Sequence, residues 1–537
     1  MSVMETPVDE ELRPASPLAT EQSTELPHSL FDFSWQEFPN PPIPPETRRE
    51  LFSNVNVGPT APCVDPYDVF VAIWDRQFME HIASETNRYA QQVVEETLRS
   101  NDLHPNSRIG RWCDTTADEL YVYIGITIAM GVVVKSRLEE YWSSTADIFY
   151  TPGFSAYMSF NRFLILNKCL HFNNNEDTCG LNVSEAKLFK IKPVFVHLNS
   201  KFQNLYHLSQ NISLDKSLLM WKELDSDQPI PNIKGIRTYE VCESQTGYLW
   251  RFQIHANKRS TPLQPEDPLN APTLAIVLGL LHGLENKGHT VWMDNSFNSP
   301  ILARRLKSLG FDCVGKLRTD CKFVPQALQS LTKWNMDRGQ LVGLTSGDVD
   351  VMVWRDSTRV AMISTYHGNA VAQDRGIAKP ISILDYNNMM GGVEKKDQML
   401  AAYPIERKRS KFWYKKLFRR LLNVSVLNSF IIHKKSSPTS PLSHRSFRVK
   451  LVNLLLKKHC SRPVTSLPSV PPVTTQNVDV GPFDITHRLE EHPLRNGARK
   501  RRLCTVCKKR VWTFCIGCDK TVCKSSCFVS LHNSIDT

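Results

Sequence analysis

The chain has 537 residues and a net charge of +11, with a sequence pI near 8.9. That length predicts several domains, each with an ample core, and the positive balance suits a polyanionic partner. The first residues are acidic and proline-rich, and the longest apolar run, Leu120 to Val134, falls short of the roughly 20 residues a membrane helix needs, so secreted and membrane-spanning classes are not expected.

Residues 1–64 are rich in Pro, Ser, Thr and Glu and are expected to be disordered. Phe31, Phe33, Trp35 and Phe38 interrupt them, either as sticky linker residues or as a short segment that folds on a partner. From Asp65 the pattern changes. Val69, Ile73, Phe78, Ile82 and Tyr89 recur at near-helical spacing, and Leu120 to Val134 reads as a buried helix. Tyr141-Trp142, Phe160-x-Arg162-Phe163 and Leu170-His171-Phe172 continue a helical, aromatic and basic region.

A helix over Lys187 to Tyr206 leads into a strand carrying Asp215. Two strands follow, Thr238 to Glu243 and Tyr248 to His255, with Gly247 at the turn. Pro272 opens a helix to Leu284, Thr290 to Asp294 is a strand, a helix starts at Pro300, and Phe311 to Leu317 is a further strand. The resulting β-β-β-α-β-α-β order mixes antiparallel hairpins with a crossover. Val349 to Trp354 and Thr358 to Thr365 read as a later hairpin.

Three carboxylates stand out. Asp215 lies inside an apolar strand and Asp294 ends another, where an unpaired acid is costly. Glu394 follows the paired glycines Gly391-Gly392, and Asp397 shares its helix face three positions on. Converging acids of this kind would hold divalent metal through oxygen, and two such metals clamp the attacking and leaving oxygens of a phosphoryl transfer. Taken singly, each acid fits an ordinary solvated surface group.

Downstream, Trp413, Leu417, Leu421, Val424, Leu427 and Ile431 make one apolar helical stripe. Lys411, Lys415, Lys416, Arg419 and Arg420 lie on the other side, as a solvated face or as phosphate contacts for DNA. Phe447 to His459 is a short basic helix, and Ser461 to Pro482 a linker. Eight of the 14 cysteines are scattered, which suits reduced thiols, and six crowd the end. Cys504-x2-Cys507, Cys515-x2-Cys518, Cys523 and Cys527, with His532, indicate zinc. An eighth ligand, suiting two zinc ions, would be His487, with His492 as its rival. Arg499-Lys500-Arg501-Arg502 reads as a nuclear-import or DNA-contact patch.

The wording around the acids goes further. Tyr386-Asn387, Gly391-Gly392-Val393-x-x-x-Asp397-Gln398, Tyr403-Pro404-x-Glu406-Arg407-Lys408 and Trp413-Tyr414-Lys415-Lys416 closely resemble the piggyBac transposase family, in particular its derived proteins in animal genomes. Met293-Asp294-Asn295-x-Phe297-x-Ser299, Trp221-Lys222 with Ile230-Pro231, and Thr86-Asn87-Arg88-Tyr89-Ala90 resemble it too, so the likeness runs from about residue 65 to the C-terminus.

The resemblance implies an α/β chain with an RNase-H-like core over 206–318 and 377–400 and an insertion domain over 319–376. It implies a helical dimerisation and DNA-binding domain in two halves, 65–205 and 401–460, then a linker (461–482) and a small zinc module (483–537). Asp215, Asp294 and Glu394 would be ligands of Mg²⁺ or Mn²⁺, with Asp397 in support. The implied partner is double-stranded DNA, bound by a nuclear homodimer, with cleavage and transfer at TTAA sites through hairpin intermediates.

Three departures point instead to a host protein that binds DNA without cutting. Residue 394 is Glu where the family usually has Asp, Lys216 follows Asp215 where an acid is usual, and the basic stretch at Pro231 to Arg237 is short. A third reading, a zinc-dependent ubiquitin ligase or histone-tail reader, rests on the cysteine module alone.

Overall fold

The computed structural model describes residues 28–100, 107–145, 147–178, 188–222, 233–255, 272–374, 376–406, 412–460, 489–492, 501–515, 518–523 and 526–533. They fall into two units, divided between Arg462 and Pro463. No described helix is long and apolar enough to cross a membrane.

One nine-stranded sheet organises the first unit. Its strands are β1 (Gln36–Glu37), β2 (Asn211–Lys222), β3 (Ile233–Glu243), β4 (Leu249–His255), β5 (Thr290–Met293), β6 (Asp312–Lys316), β7 (Leu341–Thr345), β8 (Asp350–Arg355) and β9 (Arg359–Ser364). Their spatial order is β1-β7-β8-β9-β6-β5-β2-β3-β4. Strands β2, β3 and β4 form an antiparallel meander, whereas β5 pairs parallel with both β2 and β6. Parallel neighbours need crossovers, and the Pro-led helix Pro300–Ser308, capped by Ser299, supplies the one between β5 and β6. Fully buried β5 (Thr-Val-Trp-Met) shows why: a central strand covered on both faces reads as a continuous apolar run.

The segment 319–376 continues the same sheet, because β9 pairs antiparallel with β6. Trp292 and Val314 of the central strands then share a core with Met352, Trp354 and Met362 of the added ones. The expected disorder of residues 1–64 fails over 28–64. Phe33 and Trp35 pack against the core, and β1 adds to the edge strand β7. Arg48 pairs with the fully buried Asp350 at 2.7 Å, and Arg304 lies 3.9 Å from the Phe33 ring centroid. The partner of those aromatics is therefore the chain's own sheet. Residues 1–27 lie outside the described part.

Helices from both ends of the chain cover the rest. α1 (Pro66–Ile73), α2 (Arg76–Arg99) and α3 (Ala117–Val132) start at Asp65, Asp75 and Thr116, whose side chains each accept a first-turn N–H. α4 (Phe160–Cys169) and α5 (Lys192–Asn204) follow. Beyond the sheet come α6 (Ile381–Met389), α7 (Gly392–Ala401), α8 (Trp413–Ser436) and α9 (His444–His459). α8 packs on α1 and α5, and α9 on α3, so sequence-distant helices share one core.

The second unit is small. Leu489–Glu491 pairs with Thr513–Cys515, Arg502–Leu503 pairs with Arg510–Val511, and a helix spans Ser526–Asn533. Its core is Cys504, Cys515, Val522 and Cys527, with Leu489, Val511, Phe528 and Leu531 around them.

Candidate functional site

In the parallel pairing of β2 with β5, Leu214 stands opposite Met293. Asp215 follows on β2 and Asp294 is the first residue past β5, so the pairing brings the two acids close enough for the charge of Asp294 to act on Asp215. Burial raises the pKa of Asp215, and the negative charges of Asp294 and Glu240 add to the rise; the Lys216 N–H and ammonium offset part of it. Asp294 Oδ1 accepts from the backbone N–H and hydroxyl of Ser296 at 2.8 and 2.5 Å. Two residues missed by sequence reasoning hold Asp294 in place. The buried Asn298 amide donates to the carbonyls of Met293, Asp294 and Lys316. Gly315 on β6 lets that amide in, because a Cβ there would overlap both Asn298 and the Met293 carbonyl. Its signal was a glycine inside a central strand, which marks close backbone approach.

Tyr386 of α6 completes the wall. Its phenol is pushed up by burial and then by the charges of Asp294 and Asp215, and Lys316 Nζ lies 5.4 Å from its ring centroid.

Glu394 is placed differently. It sits exposed in the first turn of α7, and its carboxylate accepts the Gln398 amide at 3.1 Å. α7 packs on β2, so Glu394 lies on the helix next to the strand of Asp215. The three acids do not close into one cluster: among the described residues, the one group of three or more metal-capable side chains within 4.8 Å of one another is four cysteines. Asp397 points into a different network. It accepts from Ser217 Oγ at 2.8 Å, Lys396 Nζ at 2.9 Å and Arg420 Nη2 at 2.5 Å. Burial would raise its pKa, but the charges of Lys396 and Arg420 outweigh that and hold it low. Lys396 in turn contacts Glu240, which stands opposite Asp215 in the β2–β3 register. Asp397 therefore fastens α7 to β2 and α8.

The expected basic face of α8 is also corrected. Lys415, Lys416 and Arg419 are buried. Lys415 Nζ donates to the carbonyls of Asn167 and Lys168 at 2.8 and 2.5 Å, capping the C-terminal end of α4. Arg419 donates to Asn167 Oδ1, and Arg420 is taken by Asp397. The reason is position: α8 lies inside the helical layer, its aliphatic stems pack, and carbonyls and acids satisfy the cationic heads. Lys411 lies outside the described residues.

In the C-terminal unit, Cys504, Cys507, Cys523 and Cys527 gather within 4.8 Å. Burial raises the Cys504 thiol, but backbone N–H groups of Cys507, Val506 and Cys523 more than offset this and bring it down to about 6. Four soft sulfur donors at this spacing suit a tetrahedral ion. The gathered pairs are the first and the third, which leaves Cys515 and Cys518 as a separate pair, where burial and Cys515 raise the Cys518 thiol. His492 is buried against Phe514, with Nε2 3.0 Å from Thr521 Oγ1. His487 and the side chain of His532 lie outside the described residues.

A mixed sheet of this order, with one acid on a central strand and a second just past the end of its parallel neighbour, is of the RNase-H-like class. Residues 65–430 match the family model described as Transposase IS4. The chain belongs to this family, in its piggyBac branch. It is 22% identical over 408 residues to human PiggyBac transposable element-derived protein 2, across 72% of this chain and 64% of that protein, and so spans just under two thirds of that relative. Human PiggyBac transposable element-derived protein 3 is 23% identical over 458 residues, across 82% and 74%. The cryo-EM structure of a piggyBac transposase synaptic complex with hairpin DNA shares the fold, with a TM-score of 0.62 at 20% identity over 88% of this chain and 99% of that one.

Proposed function

We propose that this chain is a nuclear, homodimeric DNA-binding protein of piggyBac descent whose carboxylate site serves metal-dependent strand cleavage and transfer at TTAA-type sites. The observation that carries the reading is the approach of Asp215, within β2, to Asp294, the residue just past the parallel neighbour β5. The donor set suits Mg²⁺ or Mn²⁺: the oxygens are hard, and Asp215 is burdened by burial and a neighbouring negative charge that a cation would relieve. Asp215 and Asp294 would hold the ion, with Glu394 reaching in from α7. Such an ion supplies Lewis acidity to phosphoryl transfer. This chain's own part is positioning. Asn298 and Gly315 fix the Asp294 backbone, and Asp397 with Lys396 and Arg420 fixes the helix bearing Glu394.

Zinc in the C-terminal unit would be held by Cys504, Cys507, Cys523 and Cys527. A second zinc would take Cys515 and Cys518, with His487 and His532 as the remaining candidates. Phosphate contact belongs to the exposed Arg501, Arg502, Lys508, Lys509 and Arg510 around the cysteines rather than to α8.

A second reading, a domesticated protein that binds without cutting, is favoured by Glu394, which stands exposed and hydrogen-bonded to Gln398 and does not close a cluster with the two aspartates. Labelled duplexes carrying hairpin or nicked TTAA ends separate the two. Metal-dependent cleavage that Asp294→Asn abolishes without weakening binding supports the first; salt-sensitive binding with no cleavage supports the second. Binding that ignores salt sinks both, because phosphate contacts release counterions.

A further inference from the structure

Three of the four oxygens in the Asp215–Asp294 pair already face donors from this chain. Asp215 Oδ1 accepts the Lys216 N–H at 2.8 Å. Asp294 Oδ1 takes both donors of Ser296. Asp294 Oδ2 faces Lys216 Nζ at 3.9 Å, and the same ammonium donates to Ser296 Oγ at 3.2 Å. Lys216 follows Asp215 on β2, and its side chain reaches across to the end of β5. The acidic pair thus carries a positive charge supplied by the chain itself, at the place a divalent ion would take.

We propose that Lys216 is a resident counter-ion of the carboxylate pair, which a divalent metal must displace to bind. The proposal rests on the reading of Asp215 and Asp294 as a metal-binding pair. Like charges a few ångströms apart repel strongly in a partly buried site, so ammonium and metal exclude each other. Lys216 is 43% exposed, so it can swing into water and is not locked in place. That exposure makes the competition moderate: the lysine sets a threshold of metal concentration and does not seal the site. It also gives a chemical reason for a family member to keep its fold and its DNA contacts while occupying its metal site poorly.

The test is Mn²⁺ titration of the full zinc-loaded chain, with free Mn²⁺ read by electron paramagnetic resonance. Lys216→Ala is expected to bind Mn²⁺ about ten-fold more tightly than the unmodified chain at low salt, with the difference shrinking as salt rises. Lys216→Arg, which keeps the charge, should bind as weakly as the unmodified chain. Lys216→Met keeps the aliphatic stem and should match Lys216→Ala, so a folding defect in one variant leaves the other to decide. Adding Asp294→Asn to Lys216→Ala should remove the gain. Equal Mn²⁺ affinity with and without Lys216, still lost in Asp294→Asn, overturns the proposal and leaves the metal reading standing. No Asp294-dependent Mn²⁺ binding in any variant overturns both.

Discussion

Lys396 has no exposed surface, yet it stays charged. Burial would lower its pKa, but Glu240, Cys242 and Asp397 outweigh that and hold it raised. Removing it would leave Glu240 buried without a counter-charge. Lys396→Met should therefore cost about 3–5 kcal/mol in urea unfolding, and adding Glu240→Gln should recover much of the loss. No recovery in the double variant would mean that packing, and not charge, is what Lys396 supplies. Lys415 is the opposite case. Burial brings it down to about 7, with Arg419, Lys190 and Lys168 pushing the same way. Unfolded, it would hold its proton up to its ordinary value of 10.5. Between those values the unfolded chain binds more protons, so the Lys415 contribution improves as pH rises and is least favourable below 7. The stability difference between the unmodified chain and Lys415→Met should shift in favour of lysine by up to about 1.4 kcal/mol per pH unit between pH 7.5 and 9.5. A difference that stays flat with pH would show that Lys415 keeps its proton in the folded chain across that range, as a lysine that reaches water does.

Among the elements, α7 depends on close approach. A Cβ on Gly392 would overlap the Ser213 hydroxyl and come within 3.0 Å of the Glu243 carbonyl and 3.1 Å of Ser244 Cα. Backbone neighbours cannot yield, so Gly392→Ala should cost about 1–3 kcal/mol in thermal or urea unfolding; a variant as stable as the parent would show that α7 rides free of β2. The paired glycines were legible as a turn before a helix, but this packing role was not, because it needs β2 in place. The same divide runs through the site. Asp215 and Asp294 were legible because acids in apolar strands violate the strand's own pattern. Asn298 was not, since an asparagine after a strand fits any turn. The basic residues of α8 misled because a Lys and Arg run reads as solvated until the helices around it are known. The strands were legible from alternation and runs, whereas the continuation of the sheet through β9 depends on a pairing 40 residues and more along the chain, which no local pattern encodes.

At the scale of the molecule, the two units should answer differently to metal. Among its described residues, the cysteine unit has a core of only a few apolar side chains, with sulfur at its centre. Zinc would supply folding energy that such a core cannot. Chelation should therefore make residues 489–533 protease-sensitive while residues 28–460 keep their thermal transition. Zinc analysis should return two ions per chain, or one if Cys515 and Cys518 hold none. A cysteine unit that stays protected without metal would refute the structural role.

The sharing of one core by helices from both ends also bears on how the chain is made. α1 and α3 leave the ribosome early, but their partners α8 and α9 emerge more than 300 residues later. The strand at Gln36–Glu37 must likewise wait for Leu341–Thr345. At bacterial or eukaryotic synthesis rates that delay is on the order of half a minute. During it, the faces of α1 and α3 that α8 and α9 cover, and the strand β1, lack those partners. Fragments ending before α8 should accumulate in inclusion bodies or on chaperones, whereas co-expression of residues 413–460 should rescue part of the soluble yield.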